Sequence, residues 1–306
     1  MAQDSDFHGL LVLDKPKGMT SRAVVNHVQR WFPPRTRIGH TGTLDPLATG
    51  VLVLCVGEAT RLAEYVQRMP KSYRARLRLG ARSDTDDAEG KITQSEQAGP
   101  PPAPTKVARC LKKFVGAIAQ VPPTFSAAHM SGRRAYDLAR RGKEVSLGPR
   151  RVTIYRIELL IYEYPHMEIE VDCGKGTYIR SLARDLGEEL GCGAFVEELR
   201  RTRVGPFATG RAVALDSDVR TALSSLLPLA AAVAELPAVT LEAAALRALR
   251  QGKAVDLPSY PDQPARPEAA TEMAIFNQAG LLAAIAILES GRTLHPAKVL
   301  KDPAQR

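Results

Sequence analysis

The sequence predicts an α+β protein, a sheet with interspersed helices followed by a small, mostly β segment, and three observations carry that reading. Residues alternate strictly from Tyr73 to Leu79 and again through Met167, Ile169, Val171 and Cys173, the period of a half-buried strand. Elsewhere apolar residues recur at helical spacing, in Val24, Val25, Val28, Trp31 and Phe32 and in Ile179, Leu182, Ala183 and Leu186. Past Pro237 the texture changes to one short helix and short strands.

Leu10 to Leu13 reads as a strand that ends in the turn-rich run Asp14-Lys15-Pro16-Lys17-Gly18. Thr20 or Ser21 caps the first helix, and Pro33-Pro34 stops it. Val51 to Val56 is a buried strand, and Thr60 to Arg68 a capped helical stretch. In the strand Tyr73 to Leu79, Arg74, Arg76 and Arg78 share the face opposite Tyr73, a face that is either solvated or turned toward RNA. Gly99 to Pro104 is a loop ahead of a helix capped at Thr105. The basic run Ser131 to Lys143 suggests an exposed helical insertion, and strands return at Val152 to Tyr162 and His166 to Cys173. Gly174-Lys175-Gly176-Thr177 turns into the second helix, which Gly191 ends, and Phe195 to Arg203 is another strand. Ala222 to Ala234 reads as helical despite Pro228. In the last segment a capped helix spans Thr240 to Gln251, a Pro-rich loop runs from Leu257 to Pro267, and strands lie near Glu272 to Asn277 and Leu281 to Leu288.

Composition narrows the function. The chain of 306 residues carries 42 Lys and Arg against 33 Asp and Glu, a formal charge of +9 that favours a polyanionic partner. Residues 237–306 hold eight Lys and Arg and seven Asp and Glu, so the basic surface belongs to the larger N-terminal part. Cys55, Cys110, Cys173 and Cys192 have no paired spacing, which argues against a zinc site and a disulfide framework. No apolar stretch approaches the roughly 18 residues of a membrane span. A reduced cytoplasmic protein is the expectation.

The segment Gly39-His40-Thr41-Gly42-Thr43-Leu44-Asp45-Pro46-Leu47-Ala48-Thr49-Gly50 concentrates three glycines, one imidazole and one carboxylate ahead of a buried strand. Gly39, Gly42 and Gly50 permit left-handed or close-approach backbone, and Pro46 biases Asp45 toward an extended conformation. Such a loop can aim a carboxylate into a cleft. It lacks the Gly-Lys-Ser/Thr ending of a P-loop, and one His with one Asp does not make a metal site. No dinucleotide fingerprint is present.

Gly39 to Gly50 resembles the signature of the TruB-type tRNA pseudouridine synthases. Lys15-Pro16, Lys71-Ser72-Tyr73, Ser83-Asp84-Thr85-Asp86-Asp87, Gly174-Lys175-Gly176-Thr177-Tyr178-Ile179-Arg180 and Leu199-Arg200-Arg201 are similar to further motifs of that family, in the same order. The resemblance implies a mixed, mostly antiparallel sheet with flanking helices in residues 1–236, a tRNA-binding thumb insertion at about 124–152, and a PUA-like RNA-binding domain in 237–306. His129 departs from the Lys that many relatives carry, which removes a fixed charge at neutral pH.

The implied reaction isomerises uridine 55 of the tRNA T loop by breaking N1–C1′, rotating the base and rejoining it through C5. It is redox-neutral and needs no cofactor or metal. Asp45 is implied as the catalytic residue, acting on the sugar, on the base or on a sugar proton, with Arg180 as the partner that keeps it ionised and orients it bidentately. His40, Tyr73, Tyr178, Leu199 and Lys15 complete the implied substrate-binding set. Tyr73 stacks on the flipped base, Leu199 forms an apolar wall, His40 fills or supports the loop, and Lys15 braces the site or contacts RNA. The implied partner is tRNA, through its T arm and, for the C-terminal segment, its acceptor end, with the protein a monomer. A tRNA chaperone with a dead site and a generic RNA-binding protein are the competing readings.

Overall fold

The computed structural model describes residues 7–95, 100–125, 129–130, 133–134, 147–257 and 270–301. The chain opens with β1 (Gly9–Lys15), almost wholly buried, and turns through Gly18 into α1 (Ser21–Val28). Thr20 is the N-cap, its hydroxyl accepting from the Ala23 N–H. Val24, Val25 and Val28 face the core while Trp31 is only half-buried. β2 (Ile38–His40) and β3 (Thr49–Val56) follow, and the loop that carries Asp45 lies between them. The expected helix at Thr60 to Arg68 divides into a 3-10 stretch, Gly57–Leu62, and α2 (Ala63–Arg68).

β4 (Lys71–Leu79) alternates as its sequence requires, with Tyr73, Ala75, Leu77 and Leu79 buried. On its arginine face Arg74 pairs with Glu168 at 2.7 Å and Arg76 with Glu197 at 3.1 Å. A small ribbon of β5 (Ala81–Ser83) and β6 (Ile92–Gln94) brackets the acidic loop. α3 (Pro104–Lys113) begins one residue before the expected cap. Pro104 occupies its first turn and Ala103 the cap position, with no side-chain cap, because proline fixes the helical φ and lacks the N–H that a cap would satisfy.

β7 (Gly116–Gln120) lies at the edge of the main sheet. In the basic insertion, β8 (His129–Met130) and β9 (Arg133–Arg134) pair antiparallel, so its beginning is a hairpin and not the helix its charges suggested. The remainder of Ser131 to Lys143 lies outside the described residues. β10 (Arg150–Glu163) and β11 (His166–Cys173) lead into α4 (Ile179–Leu190), which Gly191 ends in the left-handed conformation at φ 79°. β12 (Ala194–Val204), β13 (Phe207–Ala208) and β14 (Val213–Ala214) complete the ten-stranded sheet, whose main path runs β14-β1-β3-β12-β4-β11-β10-β7. It is mostly antiparallel; β12 with β3 and β1 with β14 are the parallel pairs.

The Ala-rich stretch is interrupted as Pro228 demands: α5 (Val219–Ser224) stops short of it and a 3-10 turn, Leu229–Val233, follows. Beyond it a second, five-stranded sheet forms from β15 (Ala238–Thr240), β16 (Val255–Asp256), β17 (Thr271–Phe276), β18 (Leu282–Glu289) and β19 (Thr293–Val299), with α6 (Ala243–Arg250) packed beside it. Thr240 therefore ends a strand and does not cap a helix. Most of the Pro-rich loop after Leu257 lies outside the described residues.

Candidate active site

The loop from Thr41 to Ala48 is fastened on several sides before Asp45 is placed. Its Thr41 N–H and hydroxyl both donate to the Val53 carbonyl, at 3.0 and 3.1 Å. Ser21, at the start of α1, clamps Leu44 reciprocally: the Leu44 N–H donates to Oγ at 2.8 Å and Oγ donates to the Leu44 carbonyl at 3.0 Å. The Pro46 carbonyl accepts from the Gly18 N–H at 2.8 Å and from Lys15 Nζ at 3.3 Å. The backbone on both sides of Asp45 is thus satisfied by distant elements, which leaves its side chain free to be aimed.

Asp45 keeps 34% of its side-chain surface accessible. Enough protein surrounds it that burial nevertheless pushes its carboxyl above the ordinary value. Arg180 and, more weakly, Lys15 pull it back down, while Asp87 adds to the rise.

Arg180, in the first turn of α4, is buried and divides its guanidinium among four groups. Nε lies 3.0 Å from Asp45 Oδ2, within ion-pair distance but off the N–H axis. Nη1 meets Asp87 Oδ2 at 3.2 Å and donates to the Thr85 carbonyl at 3.0 Å, and Nη2 donates to the Phe125 carbonyl at 2.8 Å. The bidentate grip on Asp45 is therefore not formed, because the fork is taken up by Asp87 and two carbonyls. Asp87 is itself fixed, accepting from the Thr85 hydroxyl at 2.7 Å and the Glu89 N–H at 3.0 Å.

Lys15 is fully buried, and Nζ donates to the carbonyls of Pro16, Met19 and Pro46 at 2.8, 2.6 and 3.3 Å. Of its two implied roles this geometry is that of a brace. Burial lowers its ammonium to about 8 against an upward pull from Asp45. Tyr73, in β4, is buried with its phenol pushed up by desolvation, and the charges that act on it include Arg201 and Asp45. Leu199 is buried in β12, in register with Ala75. His40 ends β2, half-buried and opposite Leu54. Tyr178 sits at the cap of α4, where Gln120 pins its backbone from both sides: Oε1 accepts the Tyr178 N–H at 2.8 Å and Nε2 donates to its carbonyl at 3.1 Å. Asp45, Arg180, Lys15 and Tyr73 thus converge on one electrostatic neighbourhood.

Two members of that neighbourhood carry no role in the sequence reading. Asp87 lies in the acidic loop Ser83 to Asp87, but nothing in its spacing tells which of three carboxylates turns inward. Arg201 had a usable signal. It shares the buried face of β12 with Leu199 two residues before it, so a cation stands on an apolar stripe. Its Nε donates to the Val51 carbonyl at 2.7 Å and Nη2 to the Gly42 carbonyl at 3.1 Å, tying both ends of the Asp45 loop to the sheet. Of the three loop glycines, only Gly50 has a positive φ, 97°, and a Cβ there would lie 2.2 Å from the Arg201 carbonyl oxygen. A Cβ on Gly39 would meet open space, and one on Gly42 would make ordinary contact with Arg201.

The described residues contain no cluster of His, Cys, Asp and Glu that could hold a metal ion, and no helix among them is long and apolar enough to cross a membrane.

Comparison with known proteins places this arrangement in a lineage. Residues 30–179 match the N-terminal domain of the TruB family pseudouridylate synthases, and residues 180–225 match the tRNA pseudouridylate synthase B C-terminal domain. The tRNA pseudouridine synthase B of Dehalococcoides mccartyi is 39% identical over 98% of both chains. That of Cereibacter sphaeroides is 44% identical over 95% of each, and that of Pseudomonas fluorescens 48% identical over 68% of this chain and 67% of its own. Among solved structures, a chain of a Cbf5-Nop10-Gar1 complex aligns with TM-score 0.72 and 26% identity over 96% of this chain and 84% of that one. A chain of an H/ACA RNP bound to a substrate RNA containing 2′-deoxyuridine aligns with TM-score 0.71 and 25% identity, covering 96% of this chain and 85% of that one. The fold is the pseudouridine-synthase fold with a C-terminal β-rich domain, and the chain belongs to the TruB family of pseudouridylate synthases.

Proposed function

We propose that this protein converts uridine to pseudouridine at position 55 of the tRNA T loop, with Asp45 as its catalytic residue. The observation that carries the reading is the sharing of Arg180 between two carboxylates, of which Asp45 keeps 34% of its side chain accessible and Asp87 only 4%. Asp45 is the one that can meet a nucleoside; Asp87 holds the arginine in place. The reaction breaks N1–C1′, forms C5–C1′, and exchanges a proton on C5 for one on N1, so atoms and electrons balance within the substrate.

Its demands match the chain's resources. A base inside folded RNA must leave its stack to reach a partly accessible carboxylate, and Tyr73 and Leu199 supply a ring and an apolar wall for the extruded uracil. His40 and Tyr178 line the substrate side of the loop and of α4, and Lys15 braces Pro46 from below. Residues 1–236 form the catalytic domain, with the insertion at about 124–152 closing on the T arm. Residues 237–306 act as a PUA-like module that reaches the acceptor end, and the protein works as a cytoplasmic monomer.

The test uses an unmodified tRNA transcript carrying tritium at uracil C5, with chelator present and no added cofactor. Tritium release at uridine 55 alone is the expected result, since C5 loses its hydrogen only when it bonds to C1′. A folded protein that binds the transcript and releases no tritium would leave the chaperone reading in its place.

A further inference from the structure

Residues 15–44 contain six Lys and Arg and no Asp or Glu, a run that ends at Asp45 itself. Lys15 is spent on backbone carbonyls inside the fold. The other five, Lys17, Arg22, Arg30, Arg35 and Arg37, are exposed, and among the described residues none has a carboxylate partner or a side-chain hydrogen bond. Five cations of the sheet differ: Arg74, Arg76, Arg156, Arg200 and Arg203 each pair with a carboxylate. A paired guanidinium is already neutralised, whereas an unpaired one gains from a phosphate and lets that phosphate release its counterion.

Three of the five lie on the first helix or in the turns at its two ends. Lys17 sits in the turn before α1, Arg22 in its first turn, and Arg30 in the 3-10 turn Gln29–Trp31 that prolongs it. Arg22, Asn26 and Arg30 are spaced four apart and all exposed, so they form one stripe on the side away from buried Val24, Val25 and Val28. At about 1.5 Å of rise per residue, Arg22 and Arg30 stand about 12 Å apart along the helix. That spans about three phosphates of a stacked strand at about 3.4 Å each. The stripe is also coupled to the reacting loop, through the Gly18 to Pro46 hydrogen bond at 2.8 Å and the Ser21 clamp on Leu44.

We propose that Lys17, Arg22 and Arg30 form a phosphate track that grips the RNA strand leading to Asp45, an RNA contact separate from the thumb insertion and the C-terminal domain. It rests on the reading above that the substrate is tRNA. The track explains why this stretch excludes acidic residues up to the catalytic aspartate: a carboxylate among these cations would pair with them and close the track.

The test compares equilibrium binding of an unmodified tRNA transcript from low to moderate salt for the wild type and for the triple variant Lys17→Gln, Arg22→Gln, Arg30→Gln. Each lost contact removes about 0.7 to 0.9 from the slope of log affinity against log salt, so the triple variant should lower that slope by about 2 to 3 and weaken binding on the order of tenfold or more. KM for tRNA should rise in step. A control pair, Arg74→Gln and Arg156→Gln, removes the same kind of side chain from the ion-paired face and should keep the wild-type slope. Circular dichroism confirms folding, which these exposed positions should not disturb. An unchanged slope in the folded triple variant overturns the track. A wild type that binds steeply with salt yet releases no tritium overturns the functional reading instead, while the slope comparison still decides the track.

Discussion

Arg180 sits between two carboxylates, and that position sets how Asp45 titrates. Burial raises the Asp45 carboxyl above its ordinary 3.8, Arg180 opposes this most strongly, and Asp87 adds to it. Since the native state binds its proton more tightly than the unfolded chain does, ionising Asp45 costs stability as pH rises from 3.8 through the native value. Under the proposed function activity runs the other way, because the carboxylate is the form that would react. The acid limb of kcat/KM should therefore show an apparent pKa above 3.8, and Arg180→Ala should move it to higher pH by removing the main opposing charge. Asp87→Asn should move it to lower pH while slowing turnover, because Arg180 loses a fixed partner. A limb that stays in place in both variants would show that Asp45 is not the titrating group.

At the scale of elements, the site hangs on the meeting of β3 and β12. Gly50 and Arg201 are in register there, and Arg201 reaches from that point to Val51 and Gly42. Gly50→Ala would force a Cβ at φ 97° to within 2.2 Å of a backbone oxygen. The strained conformation and the clash should together cost about 3 kcal/mol or more, read as a lowered urea midpoint at unchanged m-value. Stability equal to the wild type would mean that the loop is not anchored at this crossing. These junctions also mark the limit of what the sequence discloses. β4, β11 and α4 were legible because a local period decides which side is buried, as the alternation from Tyr73 to Leu79 shows. β19 was not, since Pro296 argues against a strand, yet a register shift beside it between Ile285 and Ala286 lets the strand pair with β18. Asp45 stood out by its loop and its family motif, whereas Asp87 and the contacts of Arg201 depend on residues far along the chain, which no local pattern records.

Across the whole molecule, the second sheet is joined to the first by a shared apolar cluster. Ala274, Leu282, Ile285 and Leu300 pack with Leu62, Val66, Met69, Ala232 and Val233. Glu272 ties this seam by accepting from the Tyr65 hydroxyl at 3.1 Å and pairing with Arg68, and Lys298 donates to the Arg61 carbonyl at 2.9 Å. Removing residues 237–306 should therefore lower the thermal midpoint as well as raise KM for full tRNA more than for a T-arm hairpin, the mark of lost uniform binding. Equal losses on both RNAs by a folded truncation would show that the segment supports the active site directly. Under the proposed function RNA binding and chemistry are separable, with Asp45 needed only for the chemistry. The most direct measurement is Asp45→Asn in single turnover on a 5-tritiated tRNA transcript, with binding measured in parallel. Tritium release should vanish while affinity stays within a few fold of wild type, because the side chain keeps its shape and loses its charge. Tritium release at the wild-type rate from that variant would mean that Asp45 is not the catalytic group.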